Sequence, residues 1–224
     1  MKSIFAALLL CFFAITQAHA QDTSRPFPKS TFIKINPATL INELDISLEQ
    51  VISPKVSLEL GISGIYTDYP DYVLLERVDI GQRKPDISTH QYVDAVGLGF
   101  RAGLRWYIVP PKQTNTVIPS AGGTYFEPVL LYKRIFYPHE HVTIGNTDYK
   151  NSGNKDVYGL QLLVGRQVTH NRLVVDPYIG IGIRTKIYHY NTYHNDNGTA
   201  NLDHGRLVSV LPSIQFGIKL GLKL

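Results

Sequence analysis

The sequence predicts an all-β chain, an eight-stranded antiparallel up-and-down transmembrane β-barrel. Three observations predict it. Apolar residues alternate with polar or tiny ones along most of the chain, the period of a strand rather than a helix. Beyond the first twenty residues no apolar run reaches the roughly eighteen residues that a spanning helix needs. The alternating runs are also longer than the five or six residues, roughly, of an ordinary soluble strand, and suit tilted strands of about 9–11 residues or more.

The chain opens with Lys2, the apolar run Ile4–Thr16 and Ala18-His19-Ala20 before Gln21. That pattern is a secretory signal peptide over residues 1–20, cleaved near Ala20 and too short to span a membrane. Residues 21–30 are expected to be a short N-terminal periplasmic segment, and residues 31–224 the barrel. The single cysteine, Cys11, lies in the leader, so the exported chain has no disulfide or thiol chemistry. A formal charge of +4, one unit of it from Lys2, is too mild to imply nucleic acid or another polyanion. Tyrosine (14) and glycine (18) are plentiful, while one Met, one Trp and a charged fraction of 18% are low.

Eight strands follow in order: Phe32–Ile41, Leu44–Ile52, Val56–Tyr66, Tyr92–Ile108, Thr124–Tyr137, Val157–Val168, Val174–Tyr190 and Arg206–Leu224. The last is the clearest. Val208, Val210, Pro212, Ile214, Phe216, Ile218, Leu220, Leu222 and Leu224 share one face, and Ser209, Ser213, Gln215, Gly217, Lys219, Gly221 and Lys223 the other. Ser53-Pro54-Lys55 and His170-Asn171-Arg172 read as tight periplasmic turns. Thr67–Gln91, Pro138–Asp156 and Asn191–Gly205, polar and rich in Tyr, His, Asn and Asp, read as extracellular loops. Within them Asn151-Ser152-Gly153-Asn154 and Asn197-Gly198 have the composition of turns. The connector Val109–Gly123, with Pro110, Pro111 and Pro119, is long for the periplasmic side.

The polar face carries charge. Glu49, Glu59, Glu127 and Asp176 gather near the periplasmic end, with Lys34, Arg101, Arg105, Lys219 and Lys223 as partners. An eight-stranded barrel is just wide enough for side chains to fill it. These groups are therefore expected to plug the lumen as an ion-pair network, since unpaired buried charges are costly. A proton or ion pathway is the alternative use of the same residues.

Tyr66, Tyr92, Trp106, Phe126, Tyr132, Phe136 and Tyr158 are the candidates for interfacial aromatic girdles. Two charges break the outward face, Asp94 and Arg134. They are expected to pair across neighbouring strands, or Arg134 to meet lipopolysaccharide phosphate.

Site chemistry is otherwise thin. His139-Glu140-His141 holds two imidazoles and a carboxylate, but in no recognised zinc spacing, and it reads as solvated loop rather than a metal site. There is no G-x-S-x-G, no phosphate-cradling glycine loop and no H-E-x-x-H. His189 faces outward near the outer rim, Ser209 faces inward, and no serine with a carboxylate is expected on the face of His189. The chain thus reads as a non-enzyme with no catalytic, cofactor or metal residues.

Three places carry a family resemblance. One is Ile33-Lys34-Ile35-Asn36-Pro37 with Leu48-Glu49-Gln50-Val51-Ile52 and Ser53-Pro54-Lys55-Val56-Ser57-Leu58, an opening hairpin. The others are the strand starts Tyr125-Phe126-Glu127-Pro128 and Val175-Asp176-Pro177-Tyr178, and the closing strand. Together they resemble the small eight-stranded outer-membrane β-barrel proteins of Bacteroidota-type bacteria. The resemblance implies a membrane barrel and assigns no activity. Many such barrels end in an aromatic residue used in assembly, whereas Leu224 stands last here.

The expected role is structural or surface-interacting, in the bacterial outer membrane. The expected partners are outer-membrane lipid and lipopolysaccharide, with the barrel assembly machinery during biogenesis, and the expected state is a monomer. A lipid-modifying outer-membrane enzyme and a soluble periplasmic barrel binding an apolar ligand are the alternatives.

Overall fold

The computed structural model describes residues 30–68, 77–80, 94–109, 122–196 and 198–224. The leader, nearly all of the N-terminal segment, Tyr92, and most of the connectors Thr67–Gln91 and Val109–Gly123 lie outside the described residues. Among the described residues there are ten strands and one 3-10 turn: β1 Thr31–Ile35, the turn Pro37–Thr39, β2 Glu43–Ser53, β3 Val56–Thr67, β4 Arg77–Asp79, β5 Asp94–Val109, β6 Gly123–Phe136, β7 Glu140–Ile144, β8 Thr147–His170, β9 Leu173–Asp196 and β10 Thr199–Lys223. All pairings are antiparallel. The sheet runs β1-β2-β3-β5-β6-β8-β9-β10 and returns to β1 through Phe32↔Lys223 and Ile35↔Leu220, so it closes into a ring.

Turn chemistry fixes one end of the ring. Pro54-Lys55 and Asn171-Arg172 separate their strands by two residues. Asn171 adopts φ 56°, a left-handed conformation that asparagine tolerates better than most residues. At the other end Gly145 (φ 64°) and Gly198 (φ 86°) turn the β7–β8 and β9–β10 hairpins.

Four parts differ from the sequence expectation, one of them β4, which lies inside the loop expected at Thr67–Gln91. The first strand stops at Ile35 instead of continuing to Ile41. Pro37 lacks the N–H that would continue the ladder. The Asn36 side chain instead accepts from the Ala38 N–H (3.1 Å) and donates to the Tyr178 hydroxyl (3.0 Å). Beyond the reach of β1, β4 pairs with Ser213–Gln215 of β10 and covers that edge.

The segments Pro138–Asp156 and Asn191–Gly205 are also not loops. The first is β7 and the start of β8, and the second completes the β9–β10 hairpin. The stretch Asn151–Asn154 lies inside β8 rather than in a turn, and the Asn151 side chain accepts from the Tyr193 N–H (2.7 Å). Backbone pairing continues here where both faces are polar, so the alternation that marks a half-apolar strand disappears while the ladder does not. The wall is consequently uneven, with β8–β10 each 24 or 25 residues long against 11 and 12 for β2 and β3.

Side-chain placement around the ring is the reverse of an ordinary globule. Its interior holds Lys34, Glu49, Glu59, Arg105, Glu127, Asp176 and Lys219, all fully buried. Its outward face exposes Leu60, Ile62, Val96, Leu98, Leu130, Leu160, Ile181 and their neighbours on every strand.

Candidate functional site

The interior is organised around Arg105. It projects from the last third of β5, and a Cβ at the nearby Gly103 would collide with the Glu127 carboxylate, so glycine there makes room for the ion pair. Arg105 Nη2 lies 2.7 Å from Glu59 Oε2 and 2.9 Å from Glu127 Oε2, and Nε donates to the same Glu127 oxygen at 3.1 Å. Nη1 reaches Gln167 Oε1 (2.7 Å), Asp176 Oδ2 (2.9 Å) and Glu49 Oε2 (3.3 Å). The guanidinium also packs 3.8 Å over the Tyr125 ring. Its donors are thus committed to four carboxylates contributed by β2, β3, β6 and β9, together with Gln167 of β8.

Two lysines complete this level. Lys34 Nζ sits 2.5 Å from Glu49 and 2.9 Å from Asp176, and donates to Gln167 at 2.6 Å. Lys219 pairs with Glu59. Neutral donors occupy remaining lone pairs: Ser57 (2.5 Å) and Tyr107 (2.6 Å) on Glu49, and Tyr125 (2.7 Å) on Asp176. Charges removed this far from water persist only when hydrogen-bonded on several sides, as Glu49, Glu59 and Asp176 are; Glu127 is held through Oε2 alone, and its buried Oε1 has no hydrogen-bond partner among the described residues.

A second level begins one step up the strands. Arg101 bridges Asp45 (3.1 Å) and Glu59 (3.2 Å), and Lys133 pairs with Glu43. The void left among Glu43, Asp45, Arg101 and Lys133 is about 20 Å3, on the scale of one water molecule. Still higher, Lys155 pairs with Asp68. The interior is therefore packed with charge along much of its length, not lined by it.

Eight of the nine residues singled out in the sequence for this network meet in it. Lys223 does not. It lies at the end of β10, half-buried, and among the described residues it makes no ion pair, because the carboxylates sit higher in the ring. Glu43, Asp45, Lys133, Tyr107, Tyr125 and Gln167 belong to the interior but were not singled out. Their strand parity would have found them, since each shares the face of an already chosen charge on its own or a paired strand.

The six aromatic candidates among the described residues, all but Tyr92, stand on the outward face. Trp106 and Phe126 stack at 5.1 Å near the end with the tight turns, and Tyr132 and Tyr158 pack at 5.1 Å toward the other. Tyr66, Phe136 and Tyr158 are exposed.

Arg134 does not pair with Asp94. The register sets Leu98 opposite Arg134 and Thr67 opposite Asp94, so the two charges are on different rows. Arg134 instead lies across from Asp156, with Nε 3.8 Å from Oδ1. Asp156 also accepts from the Tyr132 hydroxyl (3.0 Å) and has His189 Nε2 at 3.9 Å. A carboxylate therefore does share the face of His189, contrary to the sequence expectation, because Asp156 is in a strand and not in a loop. His139 and His141 are exposed, and among the described residues no three His, Cys, Asp or Glu side chains form a group that could hold a metal ion. No protein-family model matches the chain, and no curated protein matches it in sequence.

Proposed function

We propose that the chain is an integral outer-membrane β-barrel whose lumen is filled by its own side chains, with a structural or surface-interacting role and no catalytic one. The inversion of polarity around the closed ring carries this reading. Monomeric soluble proteins rarely expose contiguous apolar patches beyond a few hundred Å2, whereas here the apolar surface continues outward on all eight strands of the ring. Closure matters as much as polarity, because a sheet surrounded by lipid can leave no unpaired edge.

The dimensions agree. Phe126 and Phe136, at the two ends of the outward face of β6, are ten residue steps apart. That is roughly 34 Å of strand, or about 26 Å of height at a tilt of about 40°. The apolar band of such barrels is about 25 Å tall. A soluble barrel carrying an apolar ligand would need the opposite distribution, an apolar lining under a polar skin.

Fractionation tests the reading. The expressed protein is expected in the membrane pellet, released only by detergent, and running faster on gels before heating than after. Recovery as a detergent-free soluble monomer would overturn it. The filled interior gives a second expectation. Purified protein in planar bilayers should produce no stable, discrete conductance steps, because Arg105 and its partners leave no continuous aqueous path. Reproducible unitary channels from monomeric protein would contradict the plug.

A further inference from the structure

The outward face of β6, β8, β9 and β10 carries a row of residues that an apolar belt does not account for. Phe136, Asn154, His189 and Arg206 stand side by side across the four strands, with Arg134 and Asp156 in the row beneath. Arg206 is exposed and among the described residues has no carboxylate partner. Arg134 is 48% exposed and only loosely held by Asp156. A groove of about 630 Å3 runs along this edge, lined by Phe136, Ser152, Asn154, His189, His204 and Arg206.

Lower on the same wall, and displaced toward β5, lies a second groove that includes Tyr132 and Tyr158. Its volume is about 810 Å3, and its outward lining includes Phe100, Ala102, Leu130 and Leu160. Ala102, small among larger neighbours, sits opposite Leu130 and deepens it.

We infer that this face binds a phosphorylated glycolipid of the outer-facing leaflet. The inference rests on the membrane reading above and adds to it a site and a ligand. Arg134 and Arg206 meet the phosphate, as guanidinium forks suit its oxygens. His189 adds a ring N–H donor. Ser152, Asn154 and Asn191 present hydroxyl and amide groups to the sugar. The apolar groove beneath Tyr132 takes an acyl chain. Asp156, the one carboxylate among the described residues at the site, has Tyr132, Arg134 and His189 around it and orients the arginine and the imidazole rather than facing the ligand. An acidic polypeptide would satisfy the arginines but leave the lower groove uncovered. An amphiphile with an anionic head satisfies both.

The test uses detergent-purified full chain and native mass spectrometry. The probes are bisphosphorylated lipid A, the same lipid after phosphatase treatment, and inorganic phosphate alone. Wild type is expected to retain one lipid A and to bind the dephosphorylated form about tenfold more weakly or worse. Arg134→Ala/Arg206→Ala should lose affinity for the phosphorylated lipid by a similar factor, with Arg206→Lys intermediate. Equal retention by wild type and double variant, or equal retention of both lipids, overturns the site. So does inorganic phosphate binding as tightly as the lipid, which would mark a free-anion site. Both arginines are exposed, so the double variant should still show heat-modifiable mobility. A variant that inserts normally and keeps its lipid refutes the site but not the barrel. A wild-type chain that never enters the membrane refutes the barrel itself.

Discussion

Replacing Arg105 by alanine is expected to destabilise the protein by roughly 3–5 kcal/mol, the cost of breaking a buried charge network by removing one partner. Arg105 is fully buried and, among the described residues, is the only side chain that ion-pairs with all four carboxylates Glu49, Glu59, Glu127 and Asp176. Without it Lys34 still reaches Glu49 and Asp176, and Lys219 still holds Glu59, but Glu127 loses its cation. Methionine at this position is expected to be nearly as damaging, because it restores volume but leaves the carboxylates facing one another. Lysine should recover only part of the loss, since one ammonium cannot span partners on four strands. Urea unfolding of the detergent-solubilised protein, followed by the gel shift of the folded form, measures each. An Arg105→Ala protein with an unchanged midpoint would mean that Arg101 or water replaces the guanidinium without penalty.

The interior network was legible in the sequence because strand parity is a strict code. Once a run is a strand, the face of every residue follows from its number, so Glu49, Glu59, Arg105 and Lys219 could be turned inward without knowing any distance. Closure of the ring was legible for a related reason, as eight runs with one apolar face each have no other way to remove their edges. Three things were not legible. Which residues face each other across strands depends on register and shear, which alternation does not encode. Asp94 and Arg134 therefore looked like partners, while the register gave Asp156 to Arg134. The polar upper parts of β8–β10 lacked an apolar face, so their ladder left no trace in hydropathy. Finally, β4 is three residues long and is held by pairing with Ser213–Gln215, too short for any period to register.

The seam between β1 and β10 is where closure is most exposed to failure, and Gly221→Val tests it. Only four pairs join these strands, from Phe32↔Lys223 to Ile35↔Leu220, against an unbroken ladder over most of β9 and β10. Gly221 lies opposite Lys34 on the inward face. A Cβ there would stand 2.5 Å from the Ile33 carbonyl oxygen and 2.6 Å from Cγ of Lys34. Neither neighbour can yield cheaply. The carbonyl is part of the seam, and Lys34 Nζ is fixed by Glu49, Asp176 and Gln167. Overpacking alone typically costs about 1–3 kcal/mol, and unseating Lys34 exposes the same carboxylates that Arg105 neutralises. Gly221→Val is therefore expected to leave most of the chain unable to attain the fast-migrating form, with loss of protease resistance. Gly64→Val is the control. Gly64 is exposed on β3, with nothing within 4 Å of its Cβ position, and the added side chain would enlarge the apolar face. Normal folding of Gly64→Val with failure of Gly221→Val locates the sensitivity in the seam and the charges behind it. Normal folding of both would show that β1 can shift away from β10 without opening the ring.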